Sequence, residues 1–295
     1  MSDANVKATG GVTDDPIRLG SILYTLVEPH RGHEVAYNRW YERDHYYAGC
    51  MIGAYNFAGG RFVATADLKA LRLPAPGGPG GPSPIVADPA VGSYVSIYYV
   101  LDGHHREWNR WAVDQVKVLH ASGRMFPERD HIHTCLYTYD WEHRRDGEDG
   151  VPAELTLDHR FPGMVSVFGE LAEGVERSTV DAWYREDYLP SLLPGTPAAS
   201  VLAFTPVPLL IDAPGDVPRQ EAGAERFLQL WFLDDHPAGS WDALFAGQSA
   251  ALEGAGLGRL LWASPFIPTV VGTDTYTDRL WAPGTGSGGA GEGTR

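Results

Sequence analysis

Cysteine is scarce: Cys50 and Cys135 are the only two in 295 residues, and no Cys-x-x-Cys spacing accompanies them. That leaves neither a disulfide framework nor a cysteine zinc site, and it suits a reducing, cytoplasmic setting. No apolar run approaches the roughly 18 residues of a membrane span. The polar, mixed-charge start from Met1 to Asp15 lacks the apolar stretch of a secretory signal. Basic residues are outnumbered, 23 Lys and Arg against 38 Asp and Glu, for a formal charge of −15. Nucleic acid and anionic membrane are therefore not expected as partners, since both would be repelled. Catalytic signatures are also missing. There is no G-x-S-x-G elbow and no H-E-x-x-H pair, and the glycine-rich stretches do not sit between a strand and a helix as a phosphate loop requires.

What is present is a globular composition, 43% hydrophobic and 21% charged, long enough for two domains. The chain also repeats itself. Arg39 to Tyr46 (RWYERDHY) recurs as Ala182 to Leu189 (AWYREDYL), 143 residues on, and at the same offset the apolar segment Ser21–Val27 meets Met164–Glu170. Ser93–Leu101 matches Arg226–Asp234 at an offset of 133. The difference falls where the first copy carries Leu73–Pro84, a proline- and glycine-rich stretch that reads as a loop insertion.

Each copy reads as strand, helix, strand, long connection, strand, helix, strand. In the first, the strands are Ser21–Val27, Gly53–Thr65, Tyr94–Leu101 and His131–Tyr139, with helices His33–Ala48 and Glu107–Ala121. In the second, the strands are Val165–Glu170, Ser200–Val207, Phe227–Leu233 and Ile267–Thr273, with helices Thr179–Leu193 and Ser240–Glu253. This βαββαβ order implies an antiparallel sheet with both helices on one face, an α+β ferredoxin-like unit. Two such units in one chain, packed sheet to sheet, would cover the face each leaves bare and form a pseudo-dimeric α+β barrel. The boundaries expected are 16–141 for the first repeat, 142–162 for a linker, 163–281 for the second repeat and 282–295 for a flexible tail. Alternation along the third strands separates Val95, Ile97, Tyr99, Leu228, Leu230 and Phe232 from a mixed set that includes Tyr98 and Trp231. The first set is expected under the helices and the mixed set in a ligand-lined interior.

The stretch Asn38 to His45 (NRWYERDH) resembles the Trp-Tyr…His motif of EthD-like proteins, a branch of the dimeric α+β barrel superfamily. The family pattern continues into Leu-Pro, whereas Tyr46-Tyr47 follow His45 here. The second copy keeps Leu189-Pro190 but has Tyr188 in place of the histidine. The resemblance implies a tandem duplication in which each half retains part of the motif. It also implies a small-molecule pocket between sheet and helices. The superfamily includes cyclases, isomerases, cofactor-free monooxygenases and haem enzymes, so the fold alone does not choose a reaction.

His45 leads the candidates: it shares a helix face with Tyr41, four residues away, and could move a proton near neutral pH. A purely structural hydrogen bond at the helix end is the alternative. Arg61, after Gly59-Gly60, could bind a carboxylate or enolate, or pair with an acidic neighbour. His131 and His133 stand two apart on a strand and are expected to face one side together with Cys135 and Tyr137. Tyr24, Tyr55, Asn56, Tyr98 and Trp231 complete the expected lining, with core packing as the alternative for each. Neither metal nor cofactor is asked for by any motif. The function expected is a cofactor-independent acid–base enzyme of isomerase, cyclase or lyase type, acting on a hydrophobic, aromatic or polyketide-like small molecule. The alternatives are a non-catalytic binding or accessory protein and a cofactor-free monooxygenase. A homodimer is compatible with either.

Overall fold

The computed structural model describes residues 17–75, 82–208 and 223–282. Most of the expected tail, the segment before Pro16 and the centre of the Leu73–Pro84 insertion lie outside the described residues. Among the described residues, eight strands form one closed antiparallel barrel in the order β1-β3-β2-β8-β5-β7-β6-β4. They are β1 (Leu19–Pro29), β2 (Asn56–Val63), β3 (Tyr94–Leu101), β4 (Arg129–Arg144), β5 (Gly163–Leu171), β6 (Ala198–Val207), β7 (Arg226–Leu233) and β8 (Gly258–Pro268). Read by halves, the order is β4-β1-β3-β2 and then β8-β5-β7-β6, so the two units share one topology. They meet edge to edge, along a long seam from Leu136↔Val207 to Arg144↔Ser200 and a short one at Phe62↔Pro268 and Val63↔Ile267.

Helices cover the outside. In the first unit, α1 (Glu34–Trp40) runs on as a π-helical segment, Tyr41–Met51, followed by the short α2 (Ala66–Lys69) and by α3 (His105–Ala121). In the second, α4 (Arg177–Ala182), a π-turn (Trp183–Tyr188) and α5 (Leu189–Leu192) form the first helix, and a π-turn (Asp242–Ala246) with α6 (Gln248–Gly254) the second.

The two strand faces are the reverse of those expected. Ile22, Tyr24, Leu26, Val95, Ile97, Tyr99, Leu228, Leu230 and Phe232 belong to one core with Phe168 and Trp262, and register places Tyr24 beside Ile97 and Ile22 beside Tyr99. These fill the barrel. Tyr98 packs with Trp108 of α3, and Trp231 packs with Trp241 and Leu244 of the second unit, both on the helix side. The reason lies in the barrel's size. Eight strands enclose a space just wide enough for side chains, so the more apolar face turns inward, each large side chain contributing roughly 1.5–3 kcal/mol. The polar handles of the other face find partners on the helices.

The last strand also lies earlier than expected, at Gly258–Pro268 rather than Ile267–Thr273. Ser264-Pro265 reads as a strand breaker, yet β5 pairs Val165 with Pro265, and on its other edge β8 is laddered to β2 at Ile267 and Pro268. Pro265 sits outside that short ladder, where the missing N–H costs little.

Candidate functional site

The Trp-Tyr motif marks the point where α1 widens. From Tyr41 to Met51 the helix is π-helical, and the Ile52 N–H donates to the Tyr47 carbonyl five residues back (3.1 Å). That winding superimposes residues five apart, which an α-helix would splay. Trp40 and His45 consequently stack, centroids 4.5 Å apart with 19° between planes. The Trp40 indole is anchored in turn by donating to the Arg124 carbonyl (2.7 Å). Below His45, a Cβ on Gly49 would fall 2.9 Å from the imidazole Cε1, so only glycine leaves room for the ring. The second unit repeats the geometry, with Trp183 and Tyr188 stacked at 4.7 Å and 20°.

Tyr41 and His45 line a small cavity of about 80 Å³ between the π-helical segment, the sheet and α3, together with Cys50, Met125, His131 and Thr134. The structure thus brings His131 to His45. The Tyr41 and Tyr98 hydroxyls bond each other at 2.8 Å in a fully enclosed setting. Burial pushes both phenols above their ordinary value and the Cys50 thiol up to about 12. These groups therefore stay protonated at neutral pH and offer hydrogen bonds rather than charge. On the facing wall, Arg129 Nη2 donates to His131 Nε2 (3.2 Å). That leaves His131 Nδ1–H to donate to Thr134 Oγ1 (2.9 Å). His131 is held at both ends.

His133 is not beside it. A β-bulge shifts the β1–β4 register between Leu26↔His133 and Val27↔His131, so the two histidines leave the strand on opposite faces. The bulge cancels the two-residue periodicity that placed them together. His133 points into the barrel, where its Nε2 bonds the Tyr137 hydroxyl (2.7 Å). Tyr24 is also a barrel residue, donating to Ser166 Oγ (3.1 Å). Trp231 is wholly buried in the other unit, its indole bonded to Gln229 (3.0 Å). Tyr55 stacks on His104 at 3.8 Å, and Asn56 donates to the Tyr99 carbonyl (3.0 Å). None of these five lines the His45 cavity.

Arg61 connects the cavity to a second space. Its guanidinium lies 4.5 Å over the Tyr41 ring and 5.2 Å from that of Tyr94. Nη1 donates to Asn38 (3.0 Å) and pairs with Glu42 (3.1 Å). Asn38 and Glu42, one helical turn apart, escaped the sequence reading, although their i,i+4 spacing puts both on the face turned to β2. Arg61 and Glu42 also line a cleft of about 780 Å³ with Tyr47, His159, Arg160 and His236, a volume ordinary for small ligands.

No family model and no curated protein matches the sequence. Solved structures resemble it in fold. A protein provisionally named a chlorite dismutase is 10% identical, covers 87% of this chain and 98% of its own, and gives a TM-score of 0.50. A provisionally named monooxygenase from Fusobacterium nucleatum is 9% identical, covering 86% and 94%, at 0.48. A variant of DypB from Rhodococcus jostii in complex with haem is 9% identical, covering 90% and 95%, at 0.44. At such identities the likeness is one of fold alone, a mixed α+β fold built on an eight-strand antiparallel sheet.

Haem can be tested against the space at the motif histidine: a cavity of about 80 Å³ is far smaller than a porphyrin, so the residues there do not fit it. Among the described residues no three His, Cys, Asp or Glu come together as a metal-holding group, and no helix is long and apolar enough to cross a membrane.

Proposed function

We propose that the chain is an acid–base enzyme of isomerase, cyclase or lyase type in which His45 carries the proton. The carrying observation is the Trp40–His45 stack in a π-helical segment, which holds an imidazole against an enclosed cavity. Rare helix geometry of this kind costs stability and gathers at functional sites. His45 would take a proton from substrate carbon and return it to another position. The Tyr41–Tyr98 hydroxyl pair would stabilise charge developing on a neighbouring oxygen, with Arg61 behind Tyr41 supporting it. Such a step balances without an oxidant.

The volume bounds the substrate. About 80 Å³ is smaller than the 150 Å³ or so that accepts a benzene ring, so an aromatic or polyketide-like molecule would enter by its reacting end. Met125, on the connection to β4, and Arg129, the first residue of β4, are the side chains whose movement would widen the cavity. We further propose EthD-like ancestry by duplication, with units at 16–141 and 163–281, and a second half in which Tyr188 stands in place of the proton carrier. A non-catalytic binding protein is the rival, favoured by the large cleft beside Arg61. Carbon–hydrogen exchange separates the two. Incubation in deuterated water with a panel of cyclic and aromatic ketones should show enzyme-dependent exchange beside the carbonyl, lost in His45→Gln. Binding without any exchange would support the rival.

A further inference from the structure

Arg61 is used on one side only. Its end nitrogen Nη1 carries the contacts to Asn38 and Glu42, while Nε and Nη2 are buried without a hydrogen-bond partner. Those two N–H groups form the side-on edge of the guanidinium, the fork that takes a carboxylate in two parallel charge-assisted bonds. A buried donor left unmade costs about 1–3 kcal/mol, so two on one edge call for a partner. The pairing with Glu42 does not exhaust the cation either. Its carboxylate also accepts the Gly272 N–H (2.8 Å), so part of its charge is balanced by backbone. The Tyr94 ring lies 5.2 Å from the guanidinium, and its hydroxyl is likewise buried and without a hydrogen-bond partner.

Arg61 stands in the wall of the 780 Å³ cleft. The cleft combines polar and apolar lining: Phe62 and Ile267 in its wall, and the exposed Tyr47, Val270 and Val271 at its rim. Apolar surface left in water beside a buried cation describes a receptor for an amphipathic acid.

We infer that the cleft between the π-helical segment and the 267–276 segment binds a hydrophobic carboxylic acid, its carboxylate held two-fold on the Nε–Nη2 edge of Arg61. This does not depend on the role of His45, because binding is read without turnover and a His45→Gln protein should bind as the wild type does.

Calorimetry with phenylacetate and phenylacetamide tests the inference. Phenylacetate should bind one per chain, and the uncharged amide roughly tenfold or more weakly, as expected for loss of a charged bidentate pair. Arg61→Lys keeps a cation for Glu42 but lacks the fork, and should weaken phenylacetate by roughly 10- to 100-fold. Should that variant fail to fold, the wild type still decides: the Arg61 Nε–H resonance should shift on titration with phenylacetate and stay put with the amide. Absence of binding at millimolar phenylacetate, equal affinity for acid and amide, undiminished binding by folded Arg61→Lys, or an unmoved Nε–H signal would overturn it.

Discussion

Trp40 lies flat on His45, 4.5 Å between ring centroids, although five residues separate them and an α-helix would send them to different faces. The π-helical segment makes the contact, and its counterpart makes the same contact between Trp183 and Tyr188. One scaffold thus presents an imidazole in one unit and a phenol in the other. Burial lifts the Tyr188 hydroxyl to about 12, so the second unit has the geometry with a phenol that stays protonated at neutral pH.

Gly49→Ala tests the fit beneath the imidazole. The added Cβ would come 2.9 Å from His45 Cε1, closer than side-chain carbons approach, so the ring must leave its stack. Stability should fall by about 1–3 kcal/mol, the usual cost of overpacking, and the imidazole proton resonances should lose the ring-current shift of Trp40. An unchanged His45 spectrum would show that the glycine does not set the ring's position.

Trp231→Ala should behave as a core deletion. Trp231 is fully buried and edge-on to Phe245 at 5.2 Å, so its loss should cost about 3–5 kcal/mol in urea denaturation. Activity per folded molecule should hold, because the residue lies in the other unit. Selective loss of activity would return Trp231 to the substrate lining.

Alkaline pH should unfold the protein abruptly. Burial raises the hydroxyls of Tyr24, Tyr37, Tyr94 and Tyr184 far above their ordinary 10.0. A phenol whose folded value is raised contributes stability in full below pH 10; that contribution is lost as pH rises, because the unfolded chain releases the proton first. Each such group removes about 1.4 kcal/mol per pH unit above 10. Melting temperature should therefore drop steeply above about pH 10, with tyrosinate absorbance rising in the same step. Gradual ionisation of the folded protein before unfolding would contradict this.

The element order and the grouping of Tyr41 with His45 were legible in the sequence, because they rest on apolar patterning and on helix spacing. The rest required features that periodicity hides. One bulged residue before His133 sends it away from His131, and one π-helical segment turns a five-residue spacing into a contact. Which face of β3 and β7 turns inward was settled by barrel size, on which Val95 and Tyr98 carry no local signal. The clamp on Arg61 joins Asn38 and Glu42 to a segment more than two hundred residues away, where Gly272 and Thr273 hold them in place.

The role of His45 is tested most directly by comparing turnover of His45→Gln with that of Tyr188→Phe. In a folded protein the first should lower the rate by roughly 10² to 10⁴, the usual share of general acid–base catalysis, with stability changed by about 1 kcal/mol or less. The second, at the matched position, should leave the rate nearly unchanged. No loss from His45→Gln, or equal losses from both, would contradict the assignment of proton transfer to this histidine.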